Sequence, residues 1–585
     1  MKNFIKMVMA NIVAISILGF SCIAGLFFLI LISSLSSKGS INIKDNSILT
    51  LNLKDNIIEA SSEASPSIFD IGGDRSTKIS EILNAIHEAK QDERISGISI
   101  ESDDVLGGIT QIDDIRQALE DFKKSGKFVY SYGNNVSQNA YYLSSIADQY
   151  YLHPAGGIEL KGLATEVIFV KDLLNKYGIG VDVIRHGKYK AAVEPYITNK
   201  ISEENREQLS SLLNDIWGNI SKKIEVSRKL NDREFKTIVD SLYGIIPEYA
   251  LKNKLVDKLI QKSEYDNILR NRLKLGSIDD LKKISIGNYV KYLNNNTQLS
   301  PSKNKVAVLY AAGEIFNGKG YNGIYSEDFI REIKKIEKDD NIKAVVLRIN
   351  SPGGSANASD EILFELQQLK SKKALVVSFG DYAASGGYYI AMAGQKIFSE
   401  ANTLTGSIGV FGLAMNFKDL AHKNGLRSDI VATNPNAQMF SPISGLGPNT
   451  KNILQKNVEQ TYKRFVYFVS QNRNKTFESI DAMGGGRVWS GTRAKEIGLV
   501  DEIGSLQDAI HYAANLAKIS DYNIKTYPKD KSNLEKFFDN MNEENIAANA
   551  IKIKFGKESY HLFQKINTLN QQGLQMALPY MIKIQ

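Results

Sequence analysis

The chain has 585 residues, several times a typical ~150-residue domain, so it holds more than one folded unit. Hydrophobic residues at 43% and charged residues at 23% exclude a mainly disordered chain, and a single cysteine, Cys22, excludes a disulfide framework or a cysteine-held zinc or iron–sulfur cluster. The net charge of +7, from 72 basic and 65 acidic residues, comes without a basic run interleaved with aromatics, so nucleic acid is not an expected partner.

The first element predicted is a membrane anchor, residues 1–38. Met7 to Ser37 carries no charged side chain, and its apolar heart, Asn11 to Ser33, is 23 residues long. At ~1.5 Å per residue such a helix exceeds the ~30 Å hydrocarbon core. Lys2 and Lys6 precede it, and positive charge favours the cytoplasmic side, so everything after Lys38 is expected across the membrane. A cleaved signal peptide fits less well, because the apolar run is long and no small-x-small site ends it. Lipidation of Cys22 fits poorly too, since the apolar run continues beyond it.

Residues 46–295 and 303–526 read as two alternating α/β units with largely parallel sheets. In the first, a strand ending at Arg185 enters the stretch from His186 to Tyr196, which holds Lys190 among small and apolar residues. A lysine in water has a pKa of ~10.4, so taken alone Lys190 reads as a surface residue. Desolvation lowers that value, and a neutral lysine acts as a general base. A linker is expected between Tyr289 and Asn304, through Asn-Asn-Asn-Thr-Gln-Leu-Ser-Pro-Ser-Lys.

In the second unit a buried strand, Val345 to Asn350, runs into Ser351-Pro352-Gly353-Gly354-Ser355. The glycines allow a tight turn with outward-facing amides, the material of an oxyanion hole, although Gly-Gly after a strand is commonly no more than a turn. A helix is expected over Asp360 to Leu369, then a strand over Ala374 to Ser378. Ala383-Ala384-Ser385-Gly386-Gly387-Tyr388 follows at a helix start, where a serine is either a cap or an uncrowded nucleophile. Thr405-Gly406-Ser407-Ile408-Gly409 forms another small-residue loop. These elements converge on the carboxyl edge of a parallel sheet, where ligands bind. None of the six histidines sits in a Gly-rich loop of this unit, so a Ser-His-Asp triad has no support. The tail, 527–585, looks helical and amphipathic in patches and has no assigned role.

The two units are related by an internal duplication. Val-Tyr-Ser-Tyr-Gly at 129–133 matches Val-Val-Ser-Phe-Gly at 376–380, Ala-Tyr-Tyr-Leu at 140–143 matches Gly-Tyr-Tyr-Ile at 387–390, and Phe-Val-Lys-Asp-Leu at 169–173 matches Asn-Phe-Lys-Asp-Leu at 416–420, all at an offset of 247. At that offset Ser385 falls on Gln138 and Lys190 falls on Ala437. One unit has kept the lysine and the other the serine, which suggests an ancestral unit that carried both.

Ser-Pro-Gly-Gly, Ala-Ala-Ser-Gly-Gly-Tyr, Leu-Thr-Gly-Ser-Ile-Gly and Gly-Lys-Tyr-Lys-Ala-Ala-Val-Glu-Pro-Tyr, in this sequence, together resemble the signal peptide peptidase A (protease IV) family in its long, duplicated form. The resemblance runs from the anchor to about residue 525. It implies two tandem Clp-protease/crotonase-like α/β domains after the transmembrane helix. It also implies a serine peptidase with a Ser/Lys dyad: Ser385 as nucleophile, Lys190 as general base, Ser407 orienting the lysine, and the Gly354 and Gly386 amides as oxyanion hole. No metal or cofactor is implied. Substrates would be hydrophobic peptides, including released signal peptides. The assembly would be a homotetramer on a bacterial inner membrane, single-pass, with the catalytic domains on the periplasmic side. Two other readings are an acyl-CoA hydratase or thioesterase on the same fold and a non-catalytic peptide-binding scaffold. The anchor and Lys190 argue against the first, and the intact motifs of the second unit argue against the other.

Overall fold

The computed structural model describes residues 41–60, 76–296, 301–320, 323–529 and 574–578, with isolated positions between 6 and 25. The expected anchor, Cys22, His561 and most of the tail lie outside the described residues. Among the described residues no helix is long and apolar enough to cross a membrane.

The first half is a parallel sheet in the order Lys258–Leu259, Gln149–Ile158, Phe128–Val136, Ile95–Ile100, Ser47–Leu51 and Lys283–Ser285. Its central strands are β-branched and buried, as a sheet covered on both faces requires. The second half repeats the plan: Leu404–Gly406, Ala374–Ala384, Ile342–Ser351, Lys305–Ala312 and Asn523–Tyr527 lie side by side and parallel, and Val488–Ser490 joins the edge antiparallel. Each half has its own apolar core. The offset of 247 is visible as structure, with the Lys171–Tyr177 helix matching Lys418–Lys423 and the Gln138–Ser144 helix matching Gly386–Ala391.

Several local expectations need adjustment. The helix expected from Asp360 begins at Ala356, because Ser355 Oγ caps it by accepting from the Ala358 amide, and it runs to Lys370 with Ile362, Leu363, Leu366 and Leu369 buried. The strand expected to stop near Ser378 continues to Ala384, so Ser385 follows it directly. Part of the expected linker is the helix Ile286–Asn296, held by the buried Ile286, Tyr289 and Val290. The described piece of the tail, Gln575–Ala577, is a strand rather than a helix.

The halves part company beyond the matching helices. Gly180–Arg185 crosses over and pairs antiparallel with Phe411–Asn416 over its whole length. The stretch 427–432, its counterpart by offset, is exposed and forms no strand, and Ala437 is exposed as well. Ala437 is therefore not the structural counterpart of Lys190, and a lysine placed there would stand in solvent.

A buried polar seam also joins the halves. The Arg348 guanidinium forks onto Glu59, Nε to Oε2 at 3.1 Å and Nη2 to Oε1 at 2.9 Å. Asp381 accepts from the Thr110 amide and hydroxyl, both at 2.9 Å, and Asn402 donates to Asp113 at 2.6 Å. Asp114 and Glu400 are buried in the same seam, both within the field of Arg348. Burial pushes the Asp114 carboxyl up to about 7 and Asp381 to about 6, and drives Glu400 well above the carboxylate range. Groups with raised pKa hold protons in the folded chain that the unfolded chain has released, so the seam loses stability as pH rises from about 4 toward 7. Glu400→Gln should melt a few degrees above the parent at pH 8 and show little advantage at pH 5, at about 2–4 °C per kcal/mol for domains of this size. A thermal melt series across pH checks it.

Candidate active site

Ser385 stands at the junction of the Ala374–Ala384 strand and the Gly386–Ala391 helix with φ +54° and ψ −115°. A non-glycine residue in that region carries strain of order 1–3 kcal/mol, which the surrounding fold must hold. The turn is fixed by the Ser385 N–H donating to the Gly406 carbonyl (2.8 Å) and by the Tyr389 N–H donating to the Ser385 carbonyl (2.8 Å). The hydroxyl does not cap the helix. It meets Lys190 instead.

Lys190 follows the crossing strand Gly180–Arg185 and is fully buried. Its Nζ lies 2.8 Å from Ser385 Oγ, 2.9 Å from Ser407 Oγ and 3.1 Å from the Ser407 carbonyl oxygen. Among the described residues it forms no ion pair. Burial without a counter-charge holds the amine well below the ordinary lysine range. Ser407 sits at φ +50° in the loop after Leu404–Gly406, pinned by its N–H donating to the Arg487 carbonyl (2.7 Å). The first half thus delivers the lysine and the second half delivers both serines.

Gly353 and Gly354 form a short strand beside Ile315–Phe316. Gly353 has φ +95°, and the Gly386 amide nitrogen is 2.7 Å from where a Cβ on Gly353 would stand. The Gly354 nitrogen is 3.2 Å from the corresponding point on Gly386. The two backbone segments are therefore in contact immediately after Ser385, where amide donors can face a developing negative charge. All five residues singled out from sequence come together. His186 does not join them; its ring stacks on Tyr462 at 3.8 Å between centroids. Gln138, at the serine's place in the first half, donates to the Gly162 carbonyl and accepts from the Lys161 and Gly162 amides, which fills that degenerate site with its own side chain.

Gly486 was missed by sequence reasoning. It has φ +88°, and a Cβ there would stand 2.6 Å from the Lys190 Cβ. The run Gly484-Gly485-Gly486 was the available signal, overlooked because it lies far along the chain from both motifs. Gly486→Ala should push Lys190 away from Ser385 and lower turnover by about 10²-fold, the cost of an ångström-scale misplacement. Lys190→Met should abolish turnover yet raise the melting temperature at neutral pH. The unfolded chain protonates Lys190 while the buried amine resists it, so the wild-type residue lowers stability below its unfolded pKa, and the gain from methionine should shrink as pH approaches ~10.4. Paired activity and melting measurements check both variants.

A serine held against a buried lysine, beside two adjacent glycine amides, is equipped for nucleophilic attack on a carbonyl. The model of peptidase family S49 matches residues 121–275 and again 367–520, and the Clp protease model matches residues 298–406. Protease 4 of Salmonella typhi is 34% identical over 487 residues, covering 81% of this chain and 78% of that protein. Protease 4 of Haemophilus influenzae is 32% identical over 508 residues, covering 84% and 81%. The chloroplastic serine protease SPPA of Arabidopsis thaliana is 30% identical over 487 residues, covering 82% and 70%. With both of its α/β halves matched by one family model and more than three quarters of two Protease 4 chains covered, the chain belongs to peptidase family S49 and is a serine peptidase.

Proposed function

We infer that the chain is a membrane-anchored endopeptidase that cleaves hydrophobic peptides, released signal peptides among them, by a Ser385/Lys190 dyad through an acyl-enzyme. The observation that carries this reading is the 2.8 Å approach of a fully buried lysine amine, free of any ion pair among the described residues, to the hydroxyl of a strained serine. A neutral amine has two N–H donors and one lone pair. With the donors directed at the Ser407 carbonyl and hydroxyl, the lone pair is left for the Ser385 proton, which gives Ser407 its orienting role.

Lys190 takes the proton as Oγ attacks the scissile carbonyl. The oxyanion faces the Gly354 and Gly386 amides, and loss of one such donor costs about 3–4 kcal/mol. The lysinium then protonates the leaving amine. Water, deprotonated by the same lysine, frees the acyl group.

The anchor rests on the uncharged Met7–Ser37 segment behind Lys2 and Lys6, and with it a place on a bacterial inner membrane with the catalytic halves on the periplasmic side. A homotetramer would cover the exposed apolar side chains of the 426–440 stretch, among them Leu426, Ile430, Val431 and Met439.

The test is hydrolysis of a fluorogenic hydrophobic peptide by detergent-solubilised protein. Ser385→Ala and Lys190→Ala should each lose at least about 10²-fold in kcat. For the parent, kcat/KM should rise with pH through the lowered Lys190 pKa and then level off, because the base works unprotonated. Full turnover in Lys190→Ala, or a flat profile across the acid and neutral range, would remove the lysine from the mechanism.

A further inference from the structure

The chain's own C-terminal segment lies against the candidate active site. Gln575–Ala577 pairs antiparallel with Gly353–Ser355, with Gly353 opposite Ala577, Gly354 opposite Met576 and Ser355 opposite Gln575. On its other side Gln575 pairs with Phe411. The third sheet of the molecule runs Ile324–Tyr325, Ile315–Phe316, Gly353–Ser355, Gln575–Ala577, Phe411–Asn416, Gly180–Arg185. Without the tail it is two separate pieces with a strand-wide gap between them, and the gap adjoins Ser385.

The register is informative. Hydrogen-bonded pairs in an antiparallel ladder recur at every second residue. The Ala356 N–H donates to the Leu574 carbonyl (3.1 Å) and the Leu578 N–H donates to the Pro352 carbonyl (2.8 Å), which makes Gly354 and Met576 the bonded pair between them. The Met576 carbonyl therefore faces the Gly354 amide, the donor assigned above to the oxyanion. The same oxygen is 3.1 Å from where a Cβ on Gly386 would stand and 2.0 Å from that point on Gly353, so any residue with a Cβ at 353 would evict the strand.

The fit extends to the side chains. Gln575, Met576 and Leu578 are buried, Met576 in the core of the second half with Leu574 packed against it, and Leu578 in the apolar cluster centred on the first half. Leu574 reaches Gly412, with its Cδ2 3.4 Å from the Cβ position there. The segment Leu574-Gln575-Met576-Ala577-Leu578 is an apolar extended peptide, the class of chain the active site is read as accepting.

We propose that residues 574–578 are a built-in competitive occupant of the substrate groove, an inhibitory strand that must leave before a peptide can add to the same edges of Gly353–Ser355 and Phe411–Asn416. The proposal rests on the dyad reading for the groove's purpose, but the occupancy can be measured without catalysis. An intramolecular strand outcompetes free peptide by its high effective concentration. A groove open in about one molecule in ten weakens apparent peptide affinity about tenfold.

The probe is a fluorescein-labelled peptide of residues 572–580, titrated by anisotropy into detergent-solubilised full-length Ser385→Ala protein with and without Met576→Asp. A charge at 576 cannot be buried in the apolar core and expels the strand. Binding about tenfold tighter to the Met576→Asp protein is expected. Equal affinity for the two proteins, or no binding to either, overturns the proposal. A chain ending at Gly573 repeats the comparison should Met576→Asp fold poorly. In the Ser385 background, Met576→Asp should lower KM for the fluorogenic peptide with kcat unchanged, and an unchanged KM counts against the inhibitory strand while leaving the dyad intact. If instead no protein turns over peptide, the dyad reading fails and the anisotropy result still decides the tail.

Discussion

Everything at this site depends on keeping one amine out of water without giving it a counter-ion. Lys190 is fully buried, and its polar neighbours are two hydroxyls and a carbonyl. A carboxylate in their place would hold the lysine charged, useless as a base. The fold achieves the opposite by packing backbone against the side chain: Gly486 lies over its Cβ, and a Cβ on Gly409 would stand 3.1 Å from its Cδ. Glycines let main chain approach a methylene stem closely, and main chain brings no charge.

That requirement explains why the two halves are interleaved rather than merely adjacent. The lysine comes from one half and the serines from the other, so the distance of 2.8 Å is only as well defined as the interface. The antiparallel pairing of Gly180–Arg185 with Phe411–Asn416 sets the lysine's height. The buried Arg348–Glu59 fork and the Asp381–Thr110 bonds fix the two halves against each other elsewhere along the interface. Buried pairs of this kind add little net stability over apolar packing, but breaking one is costly, which suits a seam that must define register.

The residues that meet at the candidate site were legible in the sequence because each sits in a short motif of small residues at a strand end. The duplication was legible because its offset stays constant through the strands and helices that form the cores. What escaped was anything decided by tertiary contact. The positive φ of Ser385 is imposed by neighbours, notably the Gly406 carbonyl, and leaves no local mark. The equivalence of Lys190 and Ala437 failed because an offset counts residues and cannot register that one half sends this stretch into its partner's sheet while the other leaves it as an exposed loop. Gln575–Ala577 has no strand-forming alternation of its own and becomes a strand only because a gap with two unpaired edges awaits it.

The titrations of the site and the seam oppose each other. As pH rises past the lowered Lys190 pKa, the folded chain regains stability relative to an unfolded chain whose lysines are still charged. Asp114, Asp381 and Glu400 behave in the reverse sense, because their raised pKa values make the seam most comfortable when they are protonated. Rising pH therefore strips the proton from Lys190 and charges the seam carboxyls, with opposite effects on stability. Asp114 and Glu400 share the field of Arg348, and a charge on Asp114 pushes the Glu400 carboxyl further up, so the second negative charge of the pair comes later than the first.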